Sequence, residues 1–346
     1  MTVAGGAAAG APSGLLGPEL DWAAAEAAVR SHDEVVLVCH LNPDGDALGS
    51  MLAFGLALRQ RGSRVLASFP EPFVVPESLR FLPGLELLVP PSQVPAAPGL
   101  LVTFDAGSAA RLGELAGRVA TAGVVVVADH HATNTGFGTI HLIDRQAVAT
   151  AVVVEELIRR LGVDLDVPIA TCLYAALAAD SGSFRHAGTT PAAHALASRL
   201  LAVGVRSAVV CRELFDSHPF GWHRLLAEVL GRARLEPAEA GGLGLVWSWV
   251  SAADLADLDL AADQAESLID VLRTAREADV AAVLKCYGPV CHVSLRSRGR
   301  VDVGAACLAA GGGGHRLAAG FTVEGDRTVA IERVRAVLTA APRITP

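Results

Sequence analysis

Three short runs of aliphatic residues, "EVVLVCH" (34–40), "LLVTFDAG" (100–107) and "GVVVVADHH" (123–131), alternate with longer amphipathic stretches, and nothing else in the chain constrains its fold as tightly. Near-continuous apolar runs of this length are the mark of strands buried on both faces, and strands spaced by helix-length segments are joined by crossovers. Residues 34 to about 205 are therefore expected to form βαβ units around a largely parallel sheet. "DALGSMLAFGLALRQRG" reads as the helix after the first strand, closed by Gly62, and "RVLASF" as the next strand. Helical patterns follow at "AVATAVVVEELIRRLG", "VPIATCLYAALAADSGSF" and "TTPAAHALASRLLAVG".

A less regular connector then leads to a second region. There the strand "GLGLVWSWV" precedes a helix over about 254–275, and the strands "VAAVLKCY" and "VCHVSLRSR" precede a short helix. "GGGGHRLAAG", the strand "FTVEG" and a closing helix complete a smaller α/β domain with hairpin character. With 346 residues the chain is long enough for both. The expected organisation is a disordered start (1–14), an α/β domain with a parallel sheet (15–205), the connector (206–235) and the smaller α/β domain (236–346).

The strands carry their chemistry at one end. Each of the three runs finishes in titratable residues: His40, with Asp44 and Asp46 just beyond; Asp105; and Asp129, His130 and His131. Asp180 ends a long apolar helix in "AALAADSGSF". Ligands of open α/β sheets gather beyond the carboxyl ends of the strands, so these side chains are expected on one edge. Taken singly, Asp44 and Asp46 fit helix N-caps, and Asp180 a helix end. Taken together, carboxylates at this density repel one another unless divalent cations sit among them. Mixed imidazole and carboxylate donors suit Mn²⁺ or a similar borderline ion better than Ca²⁺, which prefers oxygen cages.

The formal net charge of −8 argues against a broad basic face gripping duplex DNA, because such binding rests on neutralising many phosphates. A local exception lies between residues 285 and 316, where five basic residues stand against one acidic. Within it the four glycines 311–314 leave room for backbone N–H groups to approach an anion, with His315, Arg296 and Arg298 as charged donors. Arg111, just after the Asp105 strand, reads equally as a substrate contact or a surface residue. His186, His218 and His223 read as structural more readily than as substrate contacts. The six cysteines form no CxxC pair and are expected to be reduced core residues. No apolar run approaches the roughly 18 residues a membrane span needs, and "MTVAGGAAAGAPSG" lacks a basic, leucine-rich leader, so a cytoplasmic protein without a membrane partner is expected.

"HLNPDGDALGS", "FDAG", "DHHATN" and "AADSGSF" resemble, in order, the four motifs of the DHH phosphoesterase superfamily, and "GGGGHRLAAGF" resembles the glycine-rich motif of its DHH-associated C-terminal domain. Size, domain pair and "FDSHPF" are most similar to the NrnA-type nanoRNase and pAp-phosphatase subfamily, in particular an actinobacterial branch that also cleaves cyclic dinucleotides. The resemblance implies an active site in a cleft between two domains and two metal ions. One would be held by His40, Asp44 and Asp105, the other by Asp46, Asp105, His130 and Asp180, with Asp105 bridging. It implies His131 as a phosphate contact or acid, Asp129 and Asn134 as orienting residues, and Arg296, Arg298, Gly313, Gly314 and His315 as the grip on the distal nucleotide. Implied substrates are short RNA, dinucleotides and pAp, and the implied assembly is a homodimer. Rival readings are a RecJ-like single-strand exonuclease, which calls for a basic, aromatic track; a family II pyrophosphatase, whose C-terminal domain carries a different basic motif; and a non-catalytic nucleotide sensor, which would have lost metal ligands.

Overall fold

The computed structural model describes residues 20–345, so the expected disordered start (1–14) lies outside the described residues. The chain divides into two units, Met1–Asp216 and Ser217–Pro346.

In the first unit, α1 (Trp22–Arg30) precedes β1 (Glu34–Cys39), α2 (Gly45–Gln60), β2 (Arg64–Ser68) and β3 (Leu100–Phe104). The short α3 (Gly117–Thr121), β4 (Val124–Asp129) and β5 (Ile140–Ile143) follow, and then α4 (Thr150–Arg160), α5 (Val167–Asp180), α6 (Pro191–Val203) and α7 (Ser207–Phe215). The strands form one sheet in the order β2-β1-β3-β4-β5, parallel throughout. Val35, Leu37 and Cys39 face one apolar layer, and Val36 and Val38 the other, which is why the strand sequence does not alternate with polar residues.

Register sets the chemistry of the sheet edge. Cys39 pairs with Phe104, and Phe104 with Ala128, so β1, β3 and β4 end nearly level. His40 and Asp105, the residues that follow β1 and β3, and Asp129, the last residue of β4, with its two histidines just beyond, therefore stand side by side at one edge. The fourth contributor, Asp180, comes from α5, which packs against α2 through glycines. A Cβ on Gly45 would sit 2.5 Å from the Ala179 Cβ, and one on Gly49 2.7 Å from the Cys172 carbonyl oxygen. Only hydrogen at these two positions lets the helices approach closely enough to set Asp46 near Asp180.

The second unit contains α8 (Phe220–Gly231), β6 (Arg234–Glu236), α9 (Glu239–Gly242), β7 (Leu245–Ser251), α10 (Ala252–Asp257) and α11 (Leu268–Leu272). It continues with β8 (Val280–Cys286), β9 (Val290–Ser297), α12 (Val303–Ala309), β10 (Gly313–His315), β11 (Ala318–Glu324) and α13 (Arg327–Thr339). Its sheet runs β10-β11-β9-β8-β7-β6 and is mixed: β7 and β8 are parallel and the other neighbours antiparallel.

Three local expectations change. The connector is helical over α7 and α8, broken only around "DSHP", where Pro219 stands as the N-cap of α8. The helix expected over about 254–275 is two short ones, α10 and α11, and Asp259 between them takes a left-handed φ of +52° that no continuous helix accommodates. Cys286 and Cys291 are joined in a disulfide rather than reduced, because the β8–β9 hairpin sets them directly opposite one another. Cys39, Cys172, Cys211 and Cys307 are free thiols, three of them buried. No single helix among the described residues is long and apolar enough to cross a membrane.

Candidate metal centre

Two donor groups meet at the edge of the parallel sheet. In the first, His40 Nε2 lies 3.7 Å from Asp44 Oδ2 and 3.5 Å from Asp105 Oδ2. In the second, His130 Nε2 lies 3.7 Å from Asp46 Oδ2, 3.4 Å from Asp105 Oδ1 and 3.1 Å from Asp180 Oδ2. Asp105 thus turns one carboxylate oxygen towards each group. It does so from a left-handed backbone, φ +55°, immediately after β3, a conformation that asparagine and aspartate tolerate better than other residues with a Cβ.

Each member is held by its neighbours. Asp44 Oδ1 caps α2 by accepting from the Asp46 and Ala47 amides, both at 3.0 Å, while Oδ2 faces His40. The cap and the donor-site readings of Asp44 therefore describe two oxygens of one side chain. Asp46 caps nothing in its own helix. It accepts from the Thr150 amide at 2.5 Å, the Ala151 amide at 3.1 Å and the Ser50 hydroxyl at 2.9 Å. The Nδ1 atoms of His40 and His130 sit 2.8 and 3.1 Å from the carbonyls of Leu41 and Ala147. A carbonyl only accepts, so Nδ1 carries the proton and each Nε2 is directed inwards as the donor atom.

The electrostatics of this cluster are those of a site built for cations. Burial pushes the Asp46 carboxyl well above its usual range, and the nearby Asp105 and Asp180 push it further. For His40, burial opposes charge, yet Asp105 and Asp44 outweigh it and raise the imidazole to about 10. His130 is raised in the same way by Asp105 and Asp180. Without metal, protons on the imidazoles supply the positive charge that buried carboxylates require. The ligand atoms of His40, Asp44 and Asp105 all lie within 4.8 Å of one another, as do those of Asp46, His130 and Asp180. That span and donor mixture fit a divalent transition ion at each group.

Beside them, His131 Nδ1 is 2.8 Å from Asp129 Oδ1, and the Asn134 amide donates to Asp129 Oδ2 at 2.5 Å. Asp129 is fully buried and Asn134 nearly so. Arg111 packs at the same edge, with Nη2 3.4 Å from His40 Nδ1 and its carbonyl accepting from Leu41 N at 2.9 Å. His186 Nδ1 sits 2.8 Å from the Asp180 carbonyl and closes the turn after α5.

In the second unit, Arg296 lies on β9 opposite Ala318 of β11. Arg298 is occupied locally, its Nη1 donating to the carbonyls of Arg273, Thr274 and Ala275 at 3.4, 3.2 and 3.3 Å. Within the glycine run, close packing demands two positions: a Cβ on Gly312 would lie 2.1 Å from the Gly320 carbonyl oxygen, and one on Gly314 2.6 Å from that of Ala318. Gly313 faces open space, as a backbone surface for a ligand would require.

Sequence reasoning missed Thr150 and Ser50. Thr150 in "AVAT" would read as an N-cap, but the structure gives that place to Ala149 and makes Thr150 the first helical residue, and nothing local says that a helix starting there points its first amides at Asp46. The only hint is a threonine and an alanine where a helix must begin beside an acid-rich edge.

Known proteins share this organisation. Residues 34–177 match the DHH family, N-terminal domain, and residues 247–341 the DHHA1 domain. The chain is 34% identical over 301 residues, 87% of each sequence, to a protein of Thermus thermophilus named bifunctional oligoribonuclease and PAP phosphatase NrnA. It is 23% identical, over 85% of this chain and 91% of the relative, to a protein of Streptococcus mutans named probable bifunctional oligoribonuclease and PAP phosphatase NrnA. The crystal structure of an exopolyphosphatase-related protein from Bacteroides fragilis superimposes with a TM-score of 0.82 at 20% identity, over 92% of this chain and 95% of that one, and shares the fold. Both domain matches and the identity across most of the chain place it in one lineage: it belongs to the DHH family and is an NrnA-type, metal-dependent phosphoesterase.

Proposed function

We propose that this protein hydrolyses short oligoribonucleotides and dinucleotides to 5′-mononucleotides, and the 3′-phosphate of PAP to leave AMP, using two Mn²⁺ ions. The observation that carries the reading is the division of Asp105: its two oxygens face two separate imidazole and carboxylate groups, as a residue shared between two ions would. His40, Asp44 and Asp105 would hold one ion, and Asp46, Asp105, His130 and Asp180 the other. Bound there, the ions supply activation of the attacking water and neutralisation of charge gathering on the phosphoryl oxygens.

The rest is the work of side chains. His131 gives a proton from Nε2 to the departing ribose oxygen. Burial opposes its charging, but the hydrogen bond to Asp129 and the nearness of Asp105 raise its pKa above the ordinary imidazole value, which favours the protonated form a general acid needs. Asp129 fixes the ring through Nδ1, and Asn134 fixes Asp129. Arg111 supports the His40 edge. In the second domain, Arg296, His315 and the open backbone at Gly313, beside the closely packed Gly314, bind the part of the substrate away from the scissile bond, and Arg298 serves that domain structurally. Mn²⁺ is favoured by the donor chemistry. Cyclic dinucleotides, a homodimeric assembly and a cytoplasmic setting complete the reading on the strength of the family resemblance.

The test compares wild type with Arg296→Ala and His315→Ala on an RNA dinucleotide, on PAP and on a small aryl phosphodiester. Losing a charged hydrogen bond to the distal nucleotide should lower kcat/KM for the dinucleotide roughly 10- to 100-fold. Hydrolysis of the aryl diester should stay near wild type. Equal losses on all three substrates would mean that these residues act in folding or in the chemical step.

A further inference from the structure

Among the described residues, Thr150 is the one uncharged side chain seen to hydrogen-bond the shared carboxylate. It is the first residue of α4 and fully buried. Its hydroxyl donates to Asp105 Oδ1 at 2.9 Å, and its amide donates to Asp46 Oδ2 at 2.5 Å. One residue therefore touches both carboxylates that lie deepest in the cluster, one through its side chain and the other through its backbone. The next amide, that of Ala151, reaches Asp46 Oδ1 at 3.1 Å. The start of an 11-residue helix is thus aimed at Asp46, where its unpaired N–H groups and dipole favour negative charge.

The consequence for Asp105 is geometric. A carboxylate on a left-handed residue at the end of a strand can rotate about χ2, and rotation would turn both oxygens towards one imidazole group. Oδ2 is drawn towards His40 at 3.5 Å, while Oδ1 is within reach of His130 at 3.4 Å and His131 at 3.6 Å. Those contacts are with groups whose own positions depend on metal and protonation. The Thr150 hydroxyl is neutral and keeps its bond in every charge state of the cluster. Thr150 Oγ1 moves only with χ1, which its branched Cβ restricts to few rotamers, and full burial leaves the side chain little room to change among them.

We propose that Thr150 is a positioning residue for the two-metal site: its hydroxyl locks Asp105 with one oxygen towards each donor group, so that the second cation binds tightly next to the first. The inference rests on the two-metal reading above. It assigns Thr150 no contact with substrate and no part in proton transfer. Its effect is on how the shared carboxylate is presented, and outer hydrogen-bond partners of this kind typically carry about 10- to 100-fold in metal affinity.

The test uses full-length, metal-depleted protein titrated with Mn²⁺, with free ion counted by electron paramagnetic resonance and the spin-coupled signal of a close Mn²⁺ pair recorded alongside. Wild type should take up two ions and show the coupled signal. Thr150→Val, which keeps the shape and removes the hydroxyl, should weaken the second binding step about 10- to 100-fold and diminish the coupled signal at limiting metal. Thr150→Ser, which restores the hydroxyl without the methyl group, should bind within a few-fold of wild type. A Val variant with wild-type affinity and coupling would overturn the proposal, and so would a Ser variant as weak as Val. Should Val fail to fold, Thr150→Ala takes its place in the same titration, and the Ser result still decides. If wild type itself takes up one ion or none, the two-metal reading fails instead, an outcome distinct from a difference between Ser and Val.

Discussion

Replacing Asp105 should abolish hydrolysis while leaving the fold in place. Asp105→Asn is the sharper variant, because Asp105 sits at φ +55°, where asparagine is tolerated and alanine adds a backbone cost of about 1–2 kcal/mol. Asparagine also retains an oxygen to accept from the Thr150 hydroxyl, so what it removes is the charge. The fold should survive, but the metal-free protein should lose some stability: although burial opposes its charge, His130 and His40 hold the Asp105 carboxyl well below its usual range, and asparagine takes that charge away from both imidazoles. Activity is another matter. Loss of a single general acid costs about 10² to 10⁴ in rate, and loss of the carboxylate shared by both ions should cost at least the upper end of that range. Circular dichroism and kcat measured together check the claim. A folded Asp105→Asn protein with a tenth of wild-type turnover would contradict the two-metal assignment.

The second large effect concerns pH. In the metal-free protein His40 titrates near 10 and His130 is also raised, so both hold protons at neutral pH. A metal ligates the neutral imidazole, so each ion that binds must expel a proton. Apparent affinity then rises with pH by about tenfold per unit for each proton released, so a change from pH 6 to pH 8 should tighten Mn²⁺ binding at the His40 group about 10²-fold and tighten it in the same direction at the group of His130 and Asp46. The stability of the metal-free protein moves the other way. A histidine raised by folding contributes stability that is complete below its ordinary value of 6.5 and is lost as pH climbs towards about 10. Calorimetric titration at the two pH values, in buffers of different ionisation enthalpy, measures both affinity and proton release. Affinity independent of pH would show that the imidazoles are not the groups displaced.

Much of this was legible in the chain before any coordinates. The valine-rich runs specified buried parallel strands, and because a strand's exit point is fixed by where its apolar run stops, His40, Asp105 and Asp129 could be expected on one edge. The level register of β1, β3 and β4 is what gathers them. Features that depend on long-range register were not legible. The four-residue β5 is too short to stand out, and its His141 interrupts the apolar signal. The Cys286–Cys291 bond follows from a hairpin pairing that cysteine spacing alone does not announce. Arg298 is a charged donor by sequence, but that its Nη1 reaches the carbonyls just beyond α11 is visible only in the fold. Thr150 lies 104 residues from Asp46 and 45 from Asp105, and only tertiary structure shows that it serves both.

The central claim is that two cations, held by the groups that share Asp105, drive hydrolysis of short nucleotides. Its most direct test is to add Mn²⁺ stepwise to metal-depleted protein and follow cleavage of an RNA dinucleotide, with a strand of about twenty residues as the competitor for long-strand activity. The account predicts no turnover without metal, full activity only near two equivalents per chain, and a higher kcat/KM for the dinucleotide than for the long strand. Full turnover in the presence of chelator, or saturation at one equivalent, would contradict it.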